Sequence, residues 1–138
     1  MKRAALLCLL LAACDPATTF WSCDGHREGH GRMLGNKNDG RWSMFGPDGR
    51  RFATGRFDNG TPVGLWKQFN QSGVLQERAV LRAGVRDGEA ATFHDNGTRQ
   101  SVGRYDNGVP CGAWIFWDRD GKLDAIRTGH YVAGVRTE

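Results

Sequence analysis

The sequence predicts an all-β protein, an elongated single-layer antiparallel β-meander built from about five hairpin repeats of 24 residues. Three observations predict it: glycines recur every 24 residues, aromatic residues keep a fixed phase beside them, and turn signals fall about every twelve residues. Glycine at this spacing is incompatible with long helices. Repeats of this length are typical of arrays in which each unit covers the apolar face of its neighbour. The two glycine columns are Gly40, Gly64, Gly88 and Gly112, and Gly25, Gly49, Gly73, Gly97 and Gly121.

Large apolar residues fill three further columns, and we expect cross-strand contacts within them to join the repeats. The first column is Trp21, Phe45, Phe69, Phe93 and Trp117. The second is Trp42, Trp66 and Trp114, interrupted by Ala90. The third is Met33, Phe57, Leu81, Tyr105 and, after a two-residue insertion, Tyr131.

Each repeat contains two turn signals and therefore two strands. At the first turn a small polar residue precedes glycine, as in Asp48-Gly49, and glycine supplies a positive φ. Turns every twelve residues leave strands of roughly five to seven residues. The second turn is strong in Asp58-Asn59-Gly60 and Asp106-Asn107-Gly108 and weaker in Ala83-Gly84 and Ala133-Gly134.

Two segments, residues 55–69 and 103–117, carry the clearest copies of the repeat: GRFDNGTPVGLWKQF and GRYDNGVPCGAWIFW. They resemble the bacterial variant of the MORN repeat, and the resemblance extends over about residues 21–136. The third repeat departs from the pattern, with Ala79-Val80 in place of Gly-Arg and Ala90 in place of Trp. The resemblance implies one elongated, twisted antiparallel sheet, a scaffolding role and in some members membrane association. Some bacterial members are labelled antitoxins, and the resemblance implies no chemistry.

The first 13 residues are predicted to be a signal peptide that is removed. A basic head, Lys2-Arg3, precedes an apolar run from Ala4 to Ala13, which at about 1.5 Å per residue covers only half of a bilayer. The end of this run, Leu11-Ala12-Ala13-Cys14, resembles the lipobox of bacterial lipoproteins.

The lipobox resemblance implies that Cys14 is the first mature residue and carries the acyl chains of a membrane anchor. Asp15 resembles the signal that retains lipoproteins in the inner membrane of enteric bacteria, which weakly favours that membrane. We therefore assign residues 14–20 to an anchor or linker and residues 21–138 to the repeat domain. The domain is expected at the cell envelope, outside the cytoplasm.

The sequence contains no pattern typical of catalysis, and we interpret the chain as a non-enzyme without cofactors. No serine lies in a Gly-x-Ser-x-Gly elbow. Five aspartates lie one or two residues before a turn glycine, which gives them a structural explanation: Asp24, Asp48, Asp58, Asp106 and Asp120. The most metal-like segment includes Cys23, His26 and His30, but its glycines oppose the helix that would bring two histidines together, so no metal site is predicted. Without Lys2 and Arg3 the chain has 17 basic and 15 acidic residues, which gives no reason to expect nucleic acid.

Of the four cysteines, two are expected to have a thiol in the mature chain, because Cys8 is removed with the signal peptide and Cys14 is modified. Cys23 and Cys111 lie at opposite turns about seven strand steps apart, which at about 4.8 Å per step is roughly 34 Å. A disulfide needs Cα atoms within about 7 Å. We therefore predict that both are free.

A single-layer sheet cannot hide both faces, so part of the aromatic surface is expected to be exposed as an interaction surface. Ala90, between two tryptophans of its column, is expected to leave a notch. The sequence thus predicts a partner-binding groove bordered by Trp66, Tyr105, Trp114 and Trp117 beside Ala90.

Arg32, Arg56 and Arg104 form a column next to the one that contains Phe57 and Tyr105. Because side chains alternate along a strand, the arginines are expected on the face opposite these aromatic residues. These arginines either meet anionic lipid headgroups beneath the anchor or form a solvated face, and we favour the second interpretation.

The sequence favours a lipid-anchored protein-interaction module that binds another protein. One alternative is a carbohydrate-binding or cell-wall-binding module that uses exposed Trp and Tyr. Another is an immunity or antitoxin protein, which only the resemblance suggests.

Overall fold

A computed structural model describes the backbone of residues 17–21 and 27–137, with side chains from residue 28 onward. Eleven strands follow one another in a single antiparallel sheet in sequential order, β1 to β11. No helix is present in these two ranges. The predicted all-β class and the single open antiparallel meander are therefore confirmed. The strands are β1 Ala17–Trp21, β2 Arg27–Leu34, β3 Lys37–Phe45, β4 Arg51–Asp58, β5 Thr61–Phe69, β6 Leu75–Arg82, β7 Val85–Phe93, β8 Arg99–Asp106, β9 Val109–Phe116, β10 Gly129–Val132 and β11 Val135–Arg136.

The strands are longer than the predicted five to seven residues, since β2 to β9 each contain eight or nine. The reason is that the second turn takes only two residues, as at Asn59 and Gly60 between β4 and β5. The first connection is correspondingly longer and takes the five residues 46–50 between β3 and β4. There Gly49 has a φ of 74° and donates its N–H to the Gly46 carbonyl at 2.9 Å.

The second turns are alike, although the sequence suggested two strong and two weak copies. Asn59 and Asn107 have φ values of 47° and 46°, and Ala83 and Ala133 have values of 49° and 50°. The glycine that follows each of them also has a positive φ, the combination that tight hairpins with a right-handed strand twist require. Alanine therefore takes a left-handed conformation that asparagine tolerates better.

The tryptophans of the Trp42 column lie flat on the strand that precedes their own. A Cβ at Gly31 would come within 2.4 Å of the Trp42 ring, and one at Gly55 within 2.1 Å of the Trp66 ring. Each indole Nε1–H donates to a backbone carbonyl ten residues earlier, at 2.9 Å for Trp42 and 3.2 Å for Trp66. Glycine is required at these positions because the ring occupies the space of a side chain.

Trp114 repeats this arrangement on Gly103, whose Cβ would lie 2.1 Å from the ring. The third repeat contains Ala79 and Ala90 instead, which are register partners and both 4% exposed. A methyl group on each strand thus replaces a bare backbone beneath an indole ring. Ala79, Ala90 and Trp114 form a buried cluster to which Tyr105 and Tyr131 add their rings.

Candidate functional site

Alternation along the strands gives the sheet two chemically different faces. We call the side that carries Trp42, Phe57, Trp66 and Trp114 the aromatic face. Ring contacts join its members, for example Phe57 edge-on to Trp66 at a centroid distance of 5.0 Å. The opposite side, which we call the basic face, carries Arg41, Arg56, Lys67 and Arg78 on the four neighbouring strands β3 to β6.

The five predicted partner-binding residues differ in how far their side chains are exposed to solvent. Trp114 is 5% exposed and Ala90 is 4% exposed, so little of either side chain can touch a partner. Ala79 supplies a methyl group where the other repeats have glycine, and a cavity of about 230 Å³ lined by Trp66 and Ala79 lies beside it. Trp66, Tyr105 and Trp117 are half-buried.

Contacts bring only some of these residues together. Tyr105 meets Trp114 edge-on at 5.1 Å, beside Ala90. Trp66 pairs in register with Ala79, whose other neighbour is Ala90. Trp117 lies apart, beyond the end of β9, where the Arg99 guanidinium covers its ring at 5.7 Å. Trp66, Tyr105 and Trp114 therefore lie around the pair of alanines, and partner binding at the predicted residues stays a prediction.

The arginine column predicted opposite the aromatic residues has three different environments. Arg32 forms an ion pair with Asp39, its register partner on β3. Arg56 instead faces Val63 on β5, and Arg104 faces Cys111 on β9. Arg56 therefore lacks the carboxylate that its equivalent in the first repeat possesses.

Asp39 is a nearly buried carboxylate, 9% exposed, held by two donors. The Arg32 guanidinium donates to it, and so does the Asn59 backbone N–H at 3.3 Å. These hydrogen bonds, the first above all, hold the pKa of Asp39 below its ordinary value of 3.8 despite its burial. Asp39 thus remains ionised and ties β2 to the turn after β4.

Like charges lie directly opposite each other on the basic face. Arg41 on β3 is the register partner of Arg56 on β4, and Lys67 on β5 is the register partner of Arg78 on β6. All four side chains are exposed. Within the part of the chain that the structure describes, none of the four makes a side-chain hydrogen bond or ion pair. Like charges opposite each other destabilise a sheet. Arg56 is also attracted electrostatically by Asp39, but that carboxylate is already bound in an ion pair with β2.

A cavity of about 800 Å³ opens on the same face. Arg41, Arg56 and Lys67 line it together with the hydroxyl-bearing residues Ser43 and Thr54. Leu65, 50% exposed, adds an apolar wall. The site that the structure favours is therefore a concave, cationic surface with one apolar side.

Sequence reasoning found Arg56 but missed Arg41, Lys67 and Arg78. The signal was present, since Arg41 and Lys67 each adjoin a tryptophan of one column and so must point to the opposite face. The register that makes the cations opposite partners could not be known, because bulges shift the register between β3 and β4 and between β5 and β6.

Several predictions fall on residues outside the described ranges, namely residues 1–13, Cys14, Asp15 and Cys23. Removal of the signal peptide, lipid attachment, retention in the inner membrane and the free state of Cys23 therefore stay predictions. Cys111 is half-buried on β9 and forms no disulfide with the described residues. Among those residues, no three His, Cys, Asp or Glu side chains group as metal ligands would.

In comparisons with known proteins, no family model and no curated protein matches the chain. Within the described ranges, no helix is long and apolar enough to cross a membrane.

Proposed function

We propose that this chain is a lipid-anchored, non-enzymatic protein-interaction module of the bacterial cell envelope. The observation that carries the proposal is an open single-layer sheet that leaves large apolar side chains in contact with solvent. Leu65, Ile115 and Val132 are 50%, 37% and 55% exposed. Exposed apolar surface with a polar surround is typical of interaction sites. Such a sheet offers a partner two faces and two edge strands.

The proposal includes an array of about five MORN-like repeats. In its support, β3, β5, β7 and β9 begin at Lys37, Thr61, Val85 and Val109, at intervals of 24 residues. Three of the repeats share the same indole-on-glycine packing. Because each unit contacts mainly its neighbours, such an array presents a broad surface with little enclosed volume.

The proposed location at the membrane rests on the N-terminal sequence. With Cys14 acylated, only two residues would separate the anchor from β1, which begins at Ala17. The sheet would then lie close to the bilayer, in the inner membrane if Asp15 acts as a retention signal. The acyl chains supply ample affinity, since each buried CH₂ contributes about 0.8 kcal/mol.

A protein partner is favoured over a glycan by the state of the tryptophan rings. A sugar that stacks needs an exposed ring face, whereas Trp42 and Trp114 are each 5% exposed. The backbone of the preceding strand covers one face of Trp66. The antitoxin alternative rests on the resemblance alone, and the geometry adds nothing to it.

Affinity purification from gently solubilised native membranes tests the proposal. The full-length chain carries a C-terminal tag, and the control is an unrelated soluble domain fused to residues 1–20 of this chain. We expect one protein to co-purify in near-equal amounts with the chain and not with the control. No such protein, together with a tryptophan fluorescence shift on adding cell-wall oligosaccharides, would favour the glycan-binding alternative and reject the proposal.

A further inference from the structure

We propose that the basic face of β3 to β6 binds an extended acidic segment of a partner protein. This inference rests on the proposed interaction function and names the chemistry of its binding surface. The cations that define the site are Arg41, Arg56, Lys67 and Arg78, which we call the cation quartet.

Among the residues that the structure describes, no member of the quartet forms an ion pair, and this determines the charge of the occupant. Its two register pairs each bring two positive charges together. A bound carboxylate between the members of a pair would offset their repulsion and accept charge-assisted hydrogen bonds from both. The ion pair between Arg32 and Asp39 on the same face illustrates what the quartet lacks.

The charge of the chain is concentrated at the same place. Residues 27–82 contain ten Lys and Arg against five Asp and Glu, whereas residues 83–137 contain seven of each. The net positive charge of residues 27–137 therefore lies in the half of the sheet that holds the quartet. An asymmetry of this kind steers an acidic partner to one end of the sheet.

The shape of the site favours a chain molecule over a membrane surface. The cavity of about 800 Å³ makes this part of the face concave, and a planar layer of headgroups would not follow it. Leu65 lines the cavity and is 50% exposed. A polypeptide supplies both carboxylates and apolar side chains, whereas a polyphosphate supplies no apolar contact.

The spacing of the two cation pairs also fits an extended peptide. Thr54 is the register partner of Lys67, and Arg56 lies two residues beyond Thr54, so the pairs differ by two residues along the strand. Together with a shift of two strands across the sheet, this separates the pairs by about 12 Å. Carboxylates four residues apart in an extended peptide are about 13 Å apart. Flexible Lys and Arg side chains accommodate the difference.

The test uses fluorescence anisotropy with the full-length chain in neutral detergent. The probe is a fluorescein-labelled peptide, Glu-Val-Glu-Val-Glu-Val-Glu, and its matched control carries Gln in place of Glu. Two double variants remove one cation pair each: Arg41→Gln with Arg56→Gln, and Lys67→Gln with Arg78→Gln. A charge-matched control variant combines Arg119→Gln with Lys122→Gln, in an exposed loop after β9.

We expect each quartet variant to weaken binding of the Glu peptide by about tenfold or more, because charged hydrogen bonds to both members of a pair are lost. The loop variant should change it less than about twofold, and the Gln peptide should bind no variant, since rim charges contribute little. Far-UV circular dichroism and urea unfolding check that the quartet variants fold. We expect them to be at least as stable as the wild type, because a like-charge pair is removed.

Three results would overturn the inference: equal weakening by the loop variant, equal binding of the Glu and Gln peptides, or tighter binding to polyphosphate or to phosphatidylglycerol vesicles than to the Glu peptide. Two further outcomes distinguish a failure of this site from a failure of the proposed function. Should a native partner co-purify equally with the wild type and with the Arg41/Arg56 double variant, the interaction function stands and this site does not. Peptide binding without any co-purifying protein would support the site and reject the function.

Discussion

Replacing Gly103 with alanine tests the packing that joins the strands. A Cβ there would lie 2.1, 2.3 and 2.6 Å from three ring atoms of Trp114, where ordinary contacts begin at 3.4 Å. The ring must therefore retreat by about 1 Å or more. It has no free space to do so, because Trp114 is 5% exposed and stacks on Phe116 with centroids 5.9 Å apart.

The cost of Gly103→Ala combines two losses. Overpacking of a well-packed site typically costs about 1–3 kcal/mol. A displaced ring also loses the hydrogen bond from Trp114 Nε1 to the Arg104 carbonyl, 3.2 Å long, which contributes about 1 kcal/mol. We expect a decrease of about 2–4 kcal/mol in the free energy of unfolding.

A double-mutant cycle measured by urea unfolding with far-UV circular dichroism isolates the contact. In a Trp114→Ala background, Gly103→Ala should cost nothing measurable, because the pair then matches Ala79 and Ala90. The converse cycle provides the control: Ala90→Trp should destabilise the chain, and Ala79→Gly should recover part of that loss. If Gly103→Ala costs the same with and without Trp114, the ring does not exclude a side chain there and the reasoning is wrong.

Three further predictions concern other parts of the chain. Asp39→Asn should destabilise the fold at neutral pH. Because the pKa of Asp39 in the folded state lies below 3.8, the difference in free energy of unfolding between variant and wild type should persist above that pH and disappear as the pH falls through the folded-state pKa. A difference that stays constant in urea unfolding from pH 6 to about pH 2.5 would contradict this prediction. Ala83→Asn should raise the free energy of unfolding by about 0.5–1 kcal/mol, and Asn107→Ala should lower it by a similar amount, because asparagine tolerates a left-handed φ. Thermal unfolding midpoints equal to that of the wild type for both variants would contradict this prediction. Cys14→Ser should move the chain from the membrane to the soluble fraction and abolish palmitate labelling, whereas unchanged fractionation would reject the lipid anchor.

The fold class could be predicted because the turns repeat. A positive-φ glycine every 24 residues and an Asn-Gly turn between alternating residues leave few alternatives to a meander. The strand lengths were wrong because sequence spacing does not reveal how residues divide between turn and strand. The second turn takes only two residues and the first connection, with Gly49 in a left-handed conformation, takes five, so the strands take up the rest of each repeat.

The site was harder to predict than the fold. Ala79 and Ala90 were both noticed as departures from the pattern, but only their direct register shows that one compensates for the other. Trp114 was expected at the surface because a single-layer sheet must expose some of its large apolar side chains. Its partners Tyr105, Phe116 and Tyr131 lie on three different strands and together bury it.

The two packings, indole on bare backbone and methyl against methyl, restrict how such repeats can diverge. A change from Gly and Trp to Ala and Ala passes through one of two single substitutions. One forces a methyl group into the ring, and the other leaves a void where the ring had been. The first intermediate contains a steric clash and the second leaves bare backbone uncovered, so the two positions are expected to change together. A comparison that scores positions singly therefore counts two independent departures in the third repeat, whereas one that scores the pair counts a single change of packing.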